Sequence, residues 1–445
     1  MRTCLLALLL ECLAFAQPPV PRTSLTGKFL DFDFPAVRIG SAEYDEGPTG
    51  ATVFTFPRFV MAAVDVRGGA PGTILSDSLR WGSGYAMAIS LAGSAAYGLG
   101  VASGAMQELR DEQANSGDWG NFPVVPGAVI WDLDPRRLNL VSADEALGRA
   151  AVRAAKPGHF LLGAHGAGRF AMQGGYFGAP NYSGQGGAFR QVGPTKVAVF
   201  TVVNAFGAVV DRGGQVVRCS NDPTAGPCGS IAAKMSGLFR PRTTDHAPQP
   251  TDHGLTHNTT ISLVVVNRKL TPHELERLAI QVHSSMARAI QPFHSEVDGD
   301  TLFAVTTSEV ADSAMSTISL GVLASEVAWD AVLSSVPELD PIDKKTAPAD
   351  PTLFAACAGR YAFRPQTTLT ISSQGGQIWG EADGDHAVYA FRWKQKEELA
   401  LNSSGDVMVK SSPETRLRFV KDGTGKVTGL ILNPGHWPLP ARRVR

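Results

Sequence analysis

The chain has 445 residues, 44% of them apolar and 18% charged, with 40 basic against 41 acidic side chains and a formal net charge of -1. That length and apolar content suffice for a large core. The low charge density excludes a disordered polyelectrolyte, and the even balance argues against a nucleic-acid partner, which normally calls for a basic excess. The 47 glycines and 29 prolines follow no collagen-like period and point to turns, close backbone approaches and a strand-rich fold.

Residues 1–16 (MRTCLLALLLECLAFA) combine basic Arg2, an apolar run and Ala14-Phe15-Ala16 before Gln17, the layout of a secretory leader. The run is too short to span a bilayer and Glu11 interrupts it. An exported protein, secreted or periplasmic, with no membrane span is therefore expected. Without the leader, Cys219, Cys228 and Cys357 remain. Cys219 and Cys228 bracket a turn-rich stretch and could close a small disulfide loop or stay as thiols. Cys357 reads as a buried apolar filler.

Residues 29–336 form one continuous globular pattern. Residues 51–56 and 196–203 are short and β-branched, as buried strands should be. The small side chains of residues 86–104 suit helices packed closely on a sheet. In residues 163–168 the glycines read as places where backbone approaches backbone. Residues 272–290 carry the clearest helix: Thr271 and Glu274 make a capping box, Pro272 takes the first helical position, and Leu275, Leu278, Ala279, Val282, Met286 and Ala289 share one face. Pro292 is expected to end it, and residues 301–305 read as a strand. Residues 337–352, with four prolines and no periodicity, read as a linker. Residues 359–445 alternate apolar and polar in short runs, giving a small all-β barrel or sandwich of roughly five to eight strands. The expected division is a leader at 1–16, a main domain at 17–336, a linker at 337–352 and a β domain at 353–445.

His246, His253 and His257 with Asp245 and Asp252 form a metal-like cluster on paper. Pro248, Pro250 and Gly254 argue against a helix that would align them, so no metal is expected. The informative segment is Asn258-Thr259-Thr260-Ile261, where a polar, proline-rich loop runs directly into a hydrophobic strand whose first residues are hydroxylic.

This segment and six others, in order, resemble one family. They are residues 34–40 (FPAVRIG), 64–73 (VDVRGGAPGT), 93–99 (GSAAYGL), 124–130 (VVPGAVI) with Asp132, 203–211 (VNAFGAVVD), 258–261 (NTTI) and 289–301 (AIQPFHSEVDGDT). The family is that of the self-processing aminopeptidases, which includes D-aminopeptidase/L-aminopeptidase-esterases, β-peptidyl aminopeptidases and nylon-oligomer hydrolases. The resemblance covers roughly residues 28–325. The terminal β domain lies outside it and is similar to the small β domain appended to some β-lactamase-like hydrolases.

The resemblance implies an α/β fold, an αββα sandwich of the N-terminal-nucleophile kind, and a precursor that cuts itself between Asn258 and Thr259. Thr259 would be the nucleophile and its freed α-amine the base. Asn204 would donate to the oxyanion, and Asp298 and Asp300 would hold the Thr259 hydroxyl and ammonium. With nucleophile and base on one residue, no cofactor is implied. The substrates would be short peptides or peptide-like amides, and the assembly a homo-oligomer, a tetramer. The alternatives are an uncut scaffold that keeps the fold and an esterase using the same Thr259. Two departures stand out. Gln185 replaces the family's lysine, for which Arg190 could compensate although nothing in the sequence places it nearby, and Trp131 replaces a tyrosine. Strict aminopeptidase specificity would further require Asp132 to grip a substrate amine. Gln185, Trp131 and Thr260 are thus supporting candidates.

Overall fold

The structure, a computed structural model, describes residues 18–81, 84–113, 122–133, 137–178, 180–238, 258–311, 314–385, 387–435 and 437–444. The leader and the histidines at 246, 253 and 257 lie outside the described residues.

The main elements in chain order are β1 (Arg38–Tyr44), β2 (Thr49–Val66), β3 (Tyr85–Ala92), α1 (Gly100–Glu112) and α2 (Glu145–Arg153). Then come β4 (Gln185–Val192), β5 (Thr195–Asn204), β6 (Thr259–Arg268), α3 (Pro272–Ser285), β7 (Thr301–Val310) and α4 (Thr317–Ser334). The strands hydrogen-bond in the order β4-β5-β6-β7-β2-β3, with β1 also on β2. The 18-residue β2 serves two half-sheets: its first part pairs with β1 and β3, and its second part pairs with β7. A register shift between Thr55 and Val60 separates the two parts.

Alternation along each strand then builds three apolar layers. Phe54, Ile89 and Leu91 from one half-sheet meet Phe200, Ile261, Leu263 and Phe303 from the other, with the Phe54 and Phe200 rings 5.0 Å apart. The opposite face of β5–β7, including Val199, Val264 and Ala304, is covered by α3 and α4 through Leu278, Val282, Ala324 and Val327. The opposite face of β1–β3, including Ala42, Val53 and Ala88, is covered by α1 and α2 through Val101, Ala105 and Leu147. Because both faces of the central strands are buried, they read as nearly unbroken hydrophobic runs. The fold is an αββα sandwich, as the sequence motifs imply.

Two expectations need correction. Residues 86–104 are not helix throughout: β3 runs to Ala92, a 3-10 turn covers Ala95–Leu99, and only then does α1 begin. The small residues there let a strand and a helix pack closely, and composition does not distinguish the two. The capping box of α3 is present, but the helix stops at Ser285 and tightens into a 3-10 turn, Met286–Arg288. Its end precedes Pro292 because Ile290–Gln291 pairs with Ala208–Val209. Finally, α4 is long and apolar enough to cross a membrane by composition, at mean hydropathy 1.2. Here it buries Leu320, Ala324, Val327 and Ala331 against the sheet.

A short helix, α5 (Pro351–Cys357), capped by the Asp350 carboxylate, leads into a closed barrel of eight strands between Gly359 and Val444. Cys357 is buried in the apolar core beside the barrel, where burial pushes its thiol up to about 11. The proline-rich stretch before α5 lies against both parts: Lys344 bonds Asp222, and Asp343 accepts from Ser403 and Ser404. The barrel shares an apolar cluster with the sandwich, in which Phe170 and Met172 pack beneath Trp437. A disulfide joins Cys219 to Cys228.

Candidate active site

Strand register assembles the site. In the antiparallel β5–β6 pair Asn204 stands opposite Thr259, and a parallel bridge sets Asn258 beside Asp298, three residues before β7 begins. Residues 40 and 55 positions apart thus meet at three neighbouring strand ends. All are buried: Thr259 is 4% exposed, Asn258 and Asp298 1%, Asn204 and Asp300 0%.

The chain is continuous across Asn258–Thr259, and the carbonyl between them is gripped from two directions. Thr259 Oγ1 donates to Asn258 O at 2.5 Å, and the Gly299 N–H donates to the same oxygen at 2.8 Å. A Cβ at Gly299 would stand 2.6 Å from Thr259 Oγ1, so this close approach requires glycine. The reading of the sequence named the flanking aspartates and missed Gly299, although its signal is the middle residue of Asp298-Gly299-Asp300. Behind it, the 64–73 motif closes on the same loop: Gly68 N–H donates to Asp300 O, and a Cβ at Gly68 would meet Asp300 N at 2.2 Å.

The two aspartates converge, with partners other than those expected. Asp300 Oδ1 accepts the Thr260 N–H at 2.8 Å, and its Oδ2 accepts from the backbone N–H and Nδ1 of His294. Asp298 accepts from the Phe206 N–H and from the Ser295 hydroxyl, the latter at 2.5 Å. Burial, and then the neighbouring Asp300 charge, push the Asp298 carboxyl up to about 6. In the uncut chain no hydrogen bond among the described residues joins either aspartate to the Thr259 hydroxyl. Thr260 contributes its main chain rather than its buried hydroxyl, which has no partner.

Asn204 is fixed at both ends of its amide. Oδ1 accepts the Met172 N–H at 3.1 Å and Nδ2 donates to Trp131 O at 2.8 Å. Trp131, 36% exposed, also walls a cleft of about 220 Å³ that reaches Thr259. The other walls include Pro71, Ala95, Ala96 and Val129, and among the described residues no charged side chain lines it. A larger cavity of about 420 Å³ opens between the proline-rich stretch and the barrel and contains none of the expected site residues.

Three supporting candidates sit elsewhere or act differently. Gln185 is buried with its amide committed to Thr52 Oγ1 and Leu161 O, and no hydrogen bond links it to Thr259. Arg190 does not stand in for the missing lysine: it lies at the far end of β4, paired with Asp330 at 2.6 Å. Asp132 turns away from the cleft, accepting from Ser94 N and facing Arg137 at 3.7 Å. Among the described residues no group of three or more His, Cys, Asp or Glu side chains is placed to hold a metal ion.

The sequence model described as Peptidase family S58 matches residues 32–341. The chain is 41% identical over 333 residues to a 6-aminohexanoate-oligomer endohydrolase of Paenarthrobacter ureafaciens, covering 72% of this chain and 89% of that protein. It is 36% identical over 270 residues to an uncharacterized aminopeptidase of Mycobacterium bovis, covering 59% of this chain and 74% of the relative. Among solved structures, a Burkholderia sp. β-aminopeptidase superposes with TM-score 0.49 at 19% identity, covering 72% of this chain and 88% of that one.

Proposed function

The chain belongs to peptidase family S58, and we propose that within it this protein is a self-processing threonine amidohydrolase that cuts itself between Asn258 and Thr259. The carrying observation is the Asn258 carbonyl held between the Thr259 hydroxyl and the Gly299 N–H. In the first step Thr259 Oγ bonds to the Asn258 carbonyl carbon while the Asn258–Thr259 C–N bond breaks. The hydroxyl proton passes to the departing nitrogen, and the oxyanion forms on an oxygen that already faces a fixed donor. Water then hydrolyses the ester, releasing Asn258 as a carboxylate and Thr259 with a free α-amine. That amine has an ordinary pKa of about 7.7–8.0 and acts as the base for its own hydroxyl near neutrality. In turnover Thr259 forms an acyl-enzyme with the substrate. The second Nδ2 hydrogen of Asn204, opposite Thr259 in register, remains for the substrate oxyanion.

Short peptides and peptide-like amides are the substrate class. The apolar cleft favours a linear amide with an apolar chain, in keeping with the relatives named for 6-aminohexanoate oligomers. With Asp132 engaged elsewhere, nothing in the cleft offers a countercharge to a substrate amine, which disfavours strict aminopeptidase action. The Cys219–Cys228 disulfide supports export to an oxidising compartment. A tetramer is the proposed assembly.

Intact mass of the purified protein beside Thr259→Ala tests this reading. Scaled from 47.1 kDa, the wild type should yield pieces of roughly 26 kDa (residues 17–258) and roughly 20 kDa (residues 259–445), because the nucleophile makes its own cut. The variant should stay joined at 258–259. A wild-type chain that remains uncut overturns self-processing.

A further inference from the structure

Beneath Asp300 lies a pair of histidines that the chemistry above does not use. His294 gives Asp300 Oδ2 two contacts, its backbone N–H at 2.9 Å and ring Nδ1 at 3.1 Å. To do so from one residue its backbone takes φ 60°, in the left-handed region that a side chain other than glycine or asparagine enters at a cost. Such strain persists only where the surroundings impose it. Here they do: the His294 ring lies 4.0 Å from Phe293 and 4.4 Å, edge to face, from His283. His283, on α3, is itself fully buried, with Nδ1 2.9 Å from Asp65 Oδ2.

The partners define the tautomers. Asp65, also bonded by Arg67, and Asp300 are both acceptors, so each histidine presents a protonated Nδ1. Each Nε2 is then bare, and both Nε2 atoms are buried without a hydrogen-bond partner. Burial holds His283 below its ordinary value, in the neutral form. The charged and titratable groups around His294 are His283 from α3, Asp65 from β2 with Arg67 just beyond its end, and Asp298 and Asp300 from its own loop. Among the described residues Asp300 is met by the Thr260 and His294 N–H groups and the His294 ring. Asp298 is met by the Phe206 and Ser295 N–H groups and by the Ser295 hydroxyl.

We infer that His294 is a positioning residue for Thr259: by clamping Asp300 through its ring Nδ1–H and its backbone N–H it fixes the carboxylate that receives the Thr260 N–H. The first residues of the nucleophile's strand are thereby held in place beside Asp298. This rests on the self-processing reading for its kinetic consequence, though not for its geometry.

Two measurements test it. His294→Gly keeps the backbone N–H, relieves the strained φ and removes the ring donor together with its packing on Phe293 and His283, whereas His294→Asn also lacks the ring but restores a short donor and tolerates the left-handed backbone. Self-cleavage of His294→Gly should slow about ten-fold or more, since the carboxylate on the Thr260 N–H loses its ring donor. His294→Asn should cleave within about three-fold of wild type. A His294→Gly chain with the wild-type rate, or a His294→Asn chain as slow as His294→Gly, overturns the proposal. Independently of cleavage, ¹⁵N shifts of labelled histidine in uncut Thr259→Ala should show a proton on His294 Nδ1; a bare Nδ1 overturns it. Failure of self-processing itself would be seen first in the wild-type mass and leaves the ¹⁵N result to decide.

Discussion

Asp298 couples the site to stability. Its carboxyl is 1% exposed and raised from 3.8 to about 6, by burial first and by Asp300 second. The folded protein therefore holds a proton that the unfolded chain releases between about pH 4 and 6, so this group favours folding below that window and loses its contribution as pH rises through it. Asp298→Asn keeps the shape without the titration. On an uncut Thr259→Ala background, its melting temperature relative to Asp298 should climb as pH goes from 4 to 7. A difference that stays flat across that range would mean that Asp298 is ionised throughout. Thr259, Asn204, Asp298 and Asp300 were legible because motif and residue type agree on their chemistry. Gly299, His294 and Ser295 act through backbone donors, a strained φ and a local hydroxyl, none of which residue type announces. Gln185 and Arg190 both sit on β4 but serve Leu161 and Asp330.

The helices and strands were legible where period and caps coincide. The Thr271–Glu274 box of α3 forms as its residues require, and the alternation in β6 feeds two separate cores. Segments rich in small residues were harder, because alanine and glycine suit a strand under a helix as well as a helix on a sheet. The α1–α2 contact shows the reason: a Cβ at Gly148 would stand 2.1 Å from Val101 O, and one at Gly104 2.0 Å from Glu145 O. Gly148→Ala should force the helices apart and destabilise the protein by about 1–3 kcal/mol, read from urea unfolding. Self-cleavage should be spared, since this contact lies on the outer face of β1–β3. Loss of cleavage in folded Gly148→Ala would place the helix pair in the site's support.

The barrel is joined to the chemistry through one hydrogen bond. Trp437 packs 5.1 Å from Phe170 and 4.4 Å from Tyr182, and Met172 in the same cluster donates its N–H to Asn204 Oδ1. Trp437→Ala opens a cavity there, and large-to-small changes of this kind cost about 3–5 kcal/mol. The expected outcome is a lower unfolding midpoint together with slower turnover on amide substrates, as the Met172 strand slackens its hold on Asn204. If the midpoint falls while turnover per folded molecule is unchanged, the barrel stabilises the sandwich without tuning it.

The resemblance of the sequence motifs implied the αββα core, and sequence alone determined the all-β character of the C-terminal part and the residue types at the strand ends, because periodicity, capping and hydroxyl or carboxylate chemistry are local properties. Tertiary structure decided which atoms meet. Register placed Asn204 against Thr259 and Asn258 against Asp298, and loop closure brought the Gly299 N–H to the Asn258 carbonyl. Burial, and then the Asp300 charge, raised the affinity of Asp298 for a proton. Each of these depends on distances between residues far apart in the chain, and such distances are fixed only when the two half-sheets pack.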